Sequence, residues 1–373
     1  MITIYWYYAL TVFLGCCYLM HARVAYKTLL ISIPLTIALL LSTGLDYDHY
    51  KFDYETGFSS FRFPFFYTKG GLTAEPFYKI YTGFIRVITD LDFAWFLAIN
   101  FYVCFLLFWL YSPFKRIKNS YIHSLFWLFF LPVIIPTVFY FSPRSSLSFF
   151  LTVSGLFLLV NERKLMALVL FTLAISTHSQ FIPIVFFLLI VSVSLNRFIK
   201  FKSRYAYLYL ILYGFSLILF LKVAPFFLLF LSSVLSFLPS ADIAINKLHY
   251  IHSADSGFRV TSILSLAVFP CLIFTLYKYQ SKMSAISGLK EEYVWKFVFY
   301  LAVCVVFGFC TNLVYFDTPH LSGRLSRFSD YVSLGLLMPI TLLCFFSLRV
   351  VIFIGLLFII AAPFIYPTVY SIH

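Results

Sequence analysis

Ten stretches of about twenty mainly apolar residues follow one another along the chain, at 2–20, 28–44, 93–111, 121–140, 145–160, 205–221, 261–277, 296–315, 331–347 and 350–367. About twenty such residues are what a helix needs to cross the hydrocarbon core of a bilayer. Lipid offers the backbone no hydrogen bonds, so each crossing must satisfy its own, and helices are the solution such a pattern allows. The run 165–195 is too long for one helix and is broken by Thr177-His178-Ser179, with Gln180 and Pro183 just after. It divides into two short spans. The stretch 225–238 is too short for a full crossing and follows the span 205–221 with Lys222 between, so it reads as a re-entrant or interfacial helix. The expectation is an all-α polytopic membrane protein with about twelve transmembrane helices. Residues 1–373 form a single transmembrane domain, with a large outer loop at 45–92 and a second outer loop at 222–260 that carries the short interfacial helix. Composition excludes the soluble alternative: 62% of residues are hydrophobic and 11% charged, against roughly a quarter charged in an ordinary soluble domain.

The net charge of +13 raises the question of nucleic acid, and its placement answers it. Alternate loops hold Arg23, Lys27, Lys115, Arg116, Lys118, Arg163, Lys164, Arg197, Lys200, Lys202, Arg204, Lys278, Lys282, Lys290, Lys296 and Arg349, together with Glu162, Glu291 and Glu292. These loops carry the whole positive excess and the opposite side is neutral, which is the cytoplasmic bias of a multispanning protein and removes the case for nucleic acid. Both termini then face away from the cytoplasm. No cleavable signal is expected, because the first span lacks a basic leader and a small-residue cleavage site. The seven cysteines all fall in apolar stretches without CxxC spacing and read as small buried hydrophobes.

Ionisable residues in mid-span mark transport paths, and this assignment puts no Asp or Glu inside a span. The acidic residues gather instead at 45–92, as Asp46, Asp48, Asp53, Glu55, Glu75, Asp90 and Asp92, which points to work done at the outer interface. Asp46 and Asp48 follow the second span directly. Two apart on an extended segment, they face the same way, suited either to taking a proton from a sugar hydroxyl or to holding a divalent cation. Ser142-Pro143-Arg144 opens a span with Ser142 as N-cap, placing Arg144 in a first turn whose dipole disfavours a cation. A bound phosphate would resolve that mismatch. His178, at the most polar break in an apolar region, is a base candidate. Arg324 and Arg327 lie three apart at what reads as another helix start and form a candidate pyrophosphate clamp. His249 and His252 have ligand-like spacing without further ligands and read as loop. There is no G-x-S-x-G, P-loop or dinucleotide motif.

The order of these motifs resembles the EpsG/Wzy group of bacterial polysaccharide (O-antigen-like) polymerases. G-x-D-x-x-x-Y follows an early span (Gly44, Asp46, Tyr50), and E-x-x-Y lies further along that loop (Glu75, Tyr78). R-x-x-L opens a mid-chain span (Arg144, Leu147), a His ends the next short span (His178), and R-x-x-x-x-x-x-Y precedes a late one (Arg324, Tyr331). Where the family often has Arg-Gln, this chain has Arg144-Ser145. The resemblance implies a membrane-integral glycosyltransferase of GT-C-like architecture in the bacterial cytoplasmic membrane, working at its outer face in polysaccharide or lipopolysaccharide synthesis. It would transfer a growing glycan from an undecaprenyl-pyrophosphate carrier to the distal sugar of another lipid-linked repeat unit, with a chain-length regulator protein as a further partner. Asp46, His178, Arg144, Arg324 and Arg327 would be its catalytic residues, a carboxylate or the His serving as base. Asp48, Tyr50, Glu75, Tyr78 and Tyr331 would bind substrate, with Tyr47 and Tyr54 also available to stack on sugars. No metal or other cofactor is expected. The competing expectations are a membrane O-acyltransferase acting on glycans, with His178 as base, and a lipid-linked oligosaccharide flippase, which calls for charges along a central path.

Overall fold

The computed structural model describes residues 47–57, 75–89, 92–111, 129, 143–198, 205–234, 290–315 and 319–365. All regular structure among the described residues is helical. Three helices there are long and apolar enough to cross a membrane: Pro143–Val160, Glu291–Val314 and Leu325–Phe345. A fourth joins them if the pair Pro76–Thr89 and Phe93–Phe108, bent by 119°, counts as one broken span. The spans expected at 2–20, 28–44, 121–140 and 261–277 lie outside the described residues, apart from the single residue Phe129 in the third.

The chain divides into two compact units. In the first, α1 (Tyr47–Gly57) and α2 (Pro76–Thr89) precede the apolar α3 (Phe93–Tyr111), and α4 (Pro143–Val160) pairs with α5 (Lys164–Thr177) as a helical hairpin. The segment 45–92, expected as a loop, therefore contains two helices. Pro76 stands at the first position of α2, where its missing N–H costs nothing. The α4–α5 pair is close because Gly155 has no side chain: a Cβ there would lie 2.5 Å from the Phe171 ring, and Phe171 is wholly buried. Glu162 makes the turn between them at φ 62°, with its amide donating to the Leu159 carbonyl and that of Arg163 to Leu158, both at 2.9 Å. That left-handed position at a helix end is one glycine usually takes. Against α1, α2 and α3 lies an aromatic core of Tyr50, Tyr54, Phe93 and Phe96, with Tyr78 and Tyr81 packed on it.

The second unit holds α6 (Ile182–Phe198), α7 (Tyr205–Val234), the part of α8 (Glu291–Val314) from Trp295 onward, and α9 (Pro319–Val332). Phe187 packs against Tyr213, Phe220 and Phe307, and the Tyr315 hydroxyl donates to the Leu221 carbonyl at 2.8 Å. A polar seam joins α8 to α9: the Ser322 hydroxyl bonds Asn312, and Gly308 lets Ser329 approach so closely that a Cβ would meet it at 2.5 Å. Small residues at such a seam let helices approach in an apolar setting. After α9 the chain passes through a π-turn (Ser333–Leu337) into α10 (Met338–Phe345) and then α11 (Leu348–Ile365) of the first unit.

Two expectations are corrected here. The helix expected to begin anew at 225 is continuous with its predecessor, since α7 runs unbroken from Tyr205 to Val234; a proline such as Pro225 bends or weakens a membrane helix without ending it. Asp330 lies within the apolar helix Leu325–Phe345, so a carboxylate does sit inside a candidate span, accepting a 3.1 Å hydrogen bond from Ser326.

Candidate functional site

Glu75 occupies the residue before α2 with φ 60°, a left-handed backbone that costs a residue with a Cβ about 1–2 kcal/mol. Its carbonyl accepts the Lys79 amide at 3.3 Å, starting the helix. Its carboxylate, 11% exposed, reaches two residues far along the sequence: Oε2 accepts from Arg144 Nη1 at 2.7 Å and Oε1 meets His178 Nδ1 at 2.5 Å. Burial alone would raise the pKa of Glu75, but the His178 hydrogen bond and the Arg144 charge outweigh it and hold the carboxyl below its ordinary value. Glu75 is thus an anion, and an anion can only accept. Nδ1 of His178 must then carry the hydrogen, which leaves the lone pair of the neutral ring on Nε2.

Helix ends deliver both partners. Pro143 opens α4 and puts Arg144 in the first turn, as the sequence predicts. His178 is the residue at which α5 stops, in an extended conformation (φ −155°, ψ 113°), its amide still donating to the Ala174 carbonyl at 3.0 Å. From that exit the imidazole reaches Glu75. Arg144 also lies over the Tyr50 ring, with its Cζ 5.6 Å from the centroid, a favourable placement for a guanidinium on an aromatic face. Tyr50, Glu75, Tyr78, Arg144 and His178 therefore belong to one neighbourhood of the first unit.

Several expectations change. The cation at the start of α4 is balanced by Glu75, so the anion its unfavourable dipole position demands is supplied by the chain itself. Asp48 is exposed in the first turn of α1. The backbone is helical from Tyr47 onward, so Asp48 does not lie on an extended segment; Asp46 lies outside the described residues. Tyr54 is 1% exposed and Tyr50 8%, so these rings offer little face to a sugar: Tyr50 lies under Arg144 and Tyr54 packs against Phe93 and Phe96. The side chain of Tyr47 lies outside the described residues.

Arg324 and Arg327 do not begin a helix. α9 starts at Pro319, so both lie well past its first turn, away from the free amides that a pyrophosphate clamp would use. Arg327 is half-buried and Tyr331 buried, while the side chain of Arg324 lies outside the described residues. Among the described residues no group of three His, Cys, Asp or Glu side chains converges as a metal site.

One polar residue beside this site went unremarked in the sequence. Asn100, 1% exposed in the apolar α3, donates to the Pro143 carbonyl at 3.2 Å and to the Ser146 hydroxyl at 2.9 Å. The available signal was a lone amide within a span, where an unpaired polar group is costly. Compared with known proteins, this chain matches no family model, no curated protein and no solved structure.

Proposed function

We propose that the chain is a membrane-integral glycosyltransferase of about twelve spans and GT-C-like architecture that polymerises lipid-linked repeat units at the outer face of a bacterial cytoplasmic membrane, with His178 as its base. The observation that carries the reading is the carboxylate of Glu75 held between His178 and Arg144. A His oriented through Nδ1 by a carboxylate presents Nε2 as a proton acceptor, and the carboxylate stabilises the imidazolium that forms. The acceptor sugar's hydroxyl gives its proton to Nε2, its oxygen bonds to the donor's anomeric carbon, and the bond from that carbon to the carrier pyrophosphate breaks. The electron pair leaves with the pyrophosphate.

The charge balance gives Arg144 its part. Before reaction, Glu75 and Arg144 cancel and His178 is neutral. Once His178 has taken the proton, its charge is matched by Glu75, and Arg144 is left as the uncompensated cation while negative charge develops on the leaving group. Its side chain is 38% exposed and only Nη1 is committed to Glu75, so the remaining N–H groups include donors for phosphate oxygens. The site becomes cationic at the step that needs it, which is electrostatic stabilisation of the transition state rather than of the bound substrate. Asp46, Arg324 and Arg327 have no assigned part in these steps.

The test uses the full-length protein in liposomes with a purified undecaprenyl-pyrophosphate-linked repeat unit. Laddered polymer is expected from the wild type and none from His178→Ala. The absence of a ladder from folded wild type, or a ladder undiminished in His178→Ala, overturns the reading.

A further inference from the structure

Two buried polar contacts flank the reacting groups without touching them. Asn100 is the one amide in α3, a helix otherwise apolar or aromatic. Its side-chain nitrogen has two hydrogens, and both are used on the first turn of α4: one on the Pro143 carbonyl at 3.2 Å, one on the Ser146 hydroxyl at 2.9 Å. Ser146 itself donates back to the Pro143 carbonyl at 2.6 Å. The three groups form a closed triangle, with Asn100 1% and Ser146 0% exposed, around the turn that carries Arg144. Neither a carbonyl nor an amide can find water there, so the triangle is costly to open and fixes the turn's rotation.

We infer that Asn100, acting with Ser146, is a positioning residue that locks the first turn of α4 so that Arg144 meets Glu75 rather than turning outward. The inference rests on reading Glu75, Arg144 and His178 as the reacting site. Asn100 reaches no reacting group, and its effect passes through the Pro143 carbonyl, one residue from Arg144. Arg144 has a long, flexible side chain whose entropy opposes a single pose, and a helix start is free to fray. An amide from the neighbouring helix removes that freedom where Arg144 leaves the backbone. Misplacement by about an ångström is enough to cost a reaction up to about a hundredfold.

The experiment compares wild type, Asn100→Ala, Ser146→Ala, Arg144→Lys and Asn100→Ala/Arg144→Lys as full-length proteins in liposomes. Two readouts are taken: polymerisation of the lipid-linked repeat unit, and the rate at which phenylglyoxal modifies Arg144, followed by mass spectrometry of its peptide. Asn100→Ala and Ser146→Ala should each lower kcat by about tenfold or more while KM stays within about twofold. The double variant should be no slower than Arg144→Lys alone, because the amide acts only through that side chain. Arg144 should be modified several times faster in both alanine variants. Ser146→Ala removes one hydroxyl without changing the shape of the core, and it decides the matter if Asn100→Ala does not fold. Losses that multiply in the double variant, or an unchanged modification rate of Arg144, overturn the inference. If the wild type makes no polymer, the reading of the reaction fails, and the modification rates still decide whether Asn100 positions Arg144.

Discussion

Replacing Glu75 by Gln keeps the size of the side chain and removes its charge. One carboxylate oxygen becomes an amide NH2, which must face either the Arg144 N–H at 2.7 Å or the His178 N–H at 2.5 Å. Two donors then oppose each other, or His178 moves its hydrogen to Nε2 and accepts at Nδ1, and in either case one charge-assisted bond is lost. A bond of that kind contributes about 1.5–3 kcal/mol. The Arg144 side chain is 38% exposed, so water screens its half and the lower end applies there; the His178 half, 14% and 11% exposed, keeps more. A net loss of about 2 kcal/mol is expected. The pH dependence has a definite sign. The carboxyl of folded Glu75 titrates below its ordinary value of 4.5, so its contribution is complete above that value and is lost as pH falls through the lower folded one. Wild type should exceed Glu75→Gln from neutral pH down to about 5, and the margin should close on further acidification. Glu75→Gly offers a second comparison: it relaxes the φ 60° backbone but loses both bonds where Glu75→Gln keeps one, so the two effects of about 1 kcal/mol each offset and its stability should lie close to that of Glu75→Gln. Unfolding in mixed micelles titrated with SDS measures all three proteins. Turnover of both variants should fall by about 10²–10⁴, the range for loss of general base catalysis. Equal stability of wild type and Glu75→Gln from pH 5 to 8, with unchanged turnover, would refute the ion-paired anion on which the mechanism depends.

Arg144→Lys should reduce polymerisation by about 10² or more with little change in expression, because a point charge cannot hold Glu75 and a phosphate oxygen with fixed forks at once; an unchanged rate and polymer length would show that charge alone suffices. Gly155→Ala should destabilise the α4–α5 hairpin by about 1–3 kcal/mol through collision with Phe171, and Phe171→Leu in the same chain should recover part of the loss in the SDS titration. Glu162→Gly should stabilise the protein by up to about 1 kcal/mol by relieving a left-handed helix end, read as a higher SDS midpoint. Turnover should persist in EDTA; loss restored by Mg²⁺ would transfer the base role from His178 to a metal-activated path.

Much of the helical pattern could be read from the order of residues. The apolar run 93–111 became α3 with the same limits, and the polar break at Thr177-His178-Ser179 ended α5 where expected. Both rest on local signals, hydropathy and the flanking polar groups, and local signals are what a sequence displays. The same logic misplaced the start of α9: Arg324 and Arg327 read as lying at a helix start, yet Pro319, with its preset φ, opens the helix. It likewise split α7, because Lys222 and Pro225 together look like a boundary.

The pairing of Glu75 is of another kind. Its partners lie 69 and 103 residues away, and no spacing rule connects them. Its φ of 60° is equally hidden, since Glu is not a residue that announces a left-handed backbone. What could be read was a demand. A cation in the first turn of α4, set against the helix dipole and beside an apolar core, needs an anion within contact distance, because an unbalanced charge there costs more than the helix can supply. Two sources could meet that demand: a ligand phosphate or an acid from elsewhere in the chain. Under the proposed mechanism, an internal acid makes the resting site neutral, and the site returns to neutrality once His178 has passed its proton on, so that a lipid-linked pyrophosphate can leave as well as enter. A site with Arg144 unbalanced would hold the carrier pyrophosphate most tightly after the bond had broken, when release is needed for the next turnover. Under the proposed mechanism, the acid at Glu75 would serve two ends at once, fixing the tautomer of the base and limiting the net positive charge that holds the product.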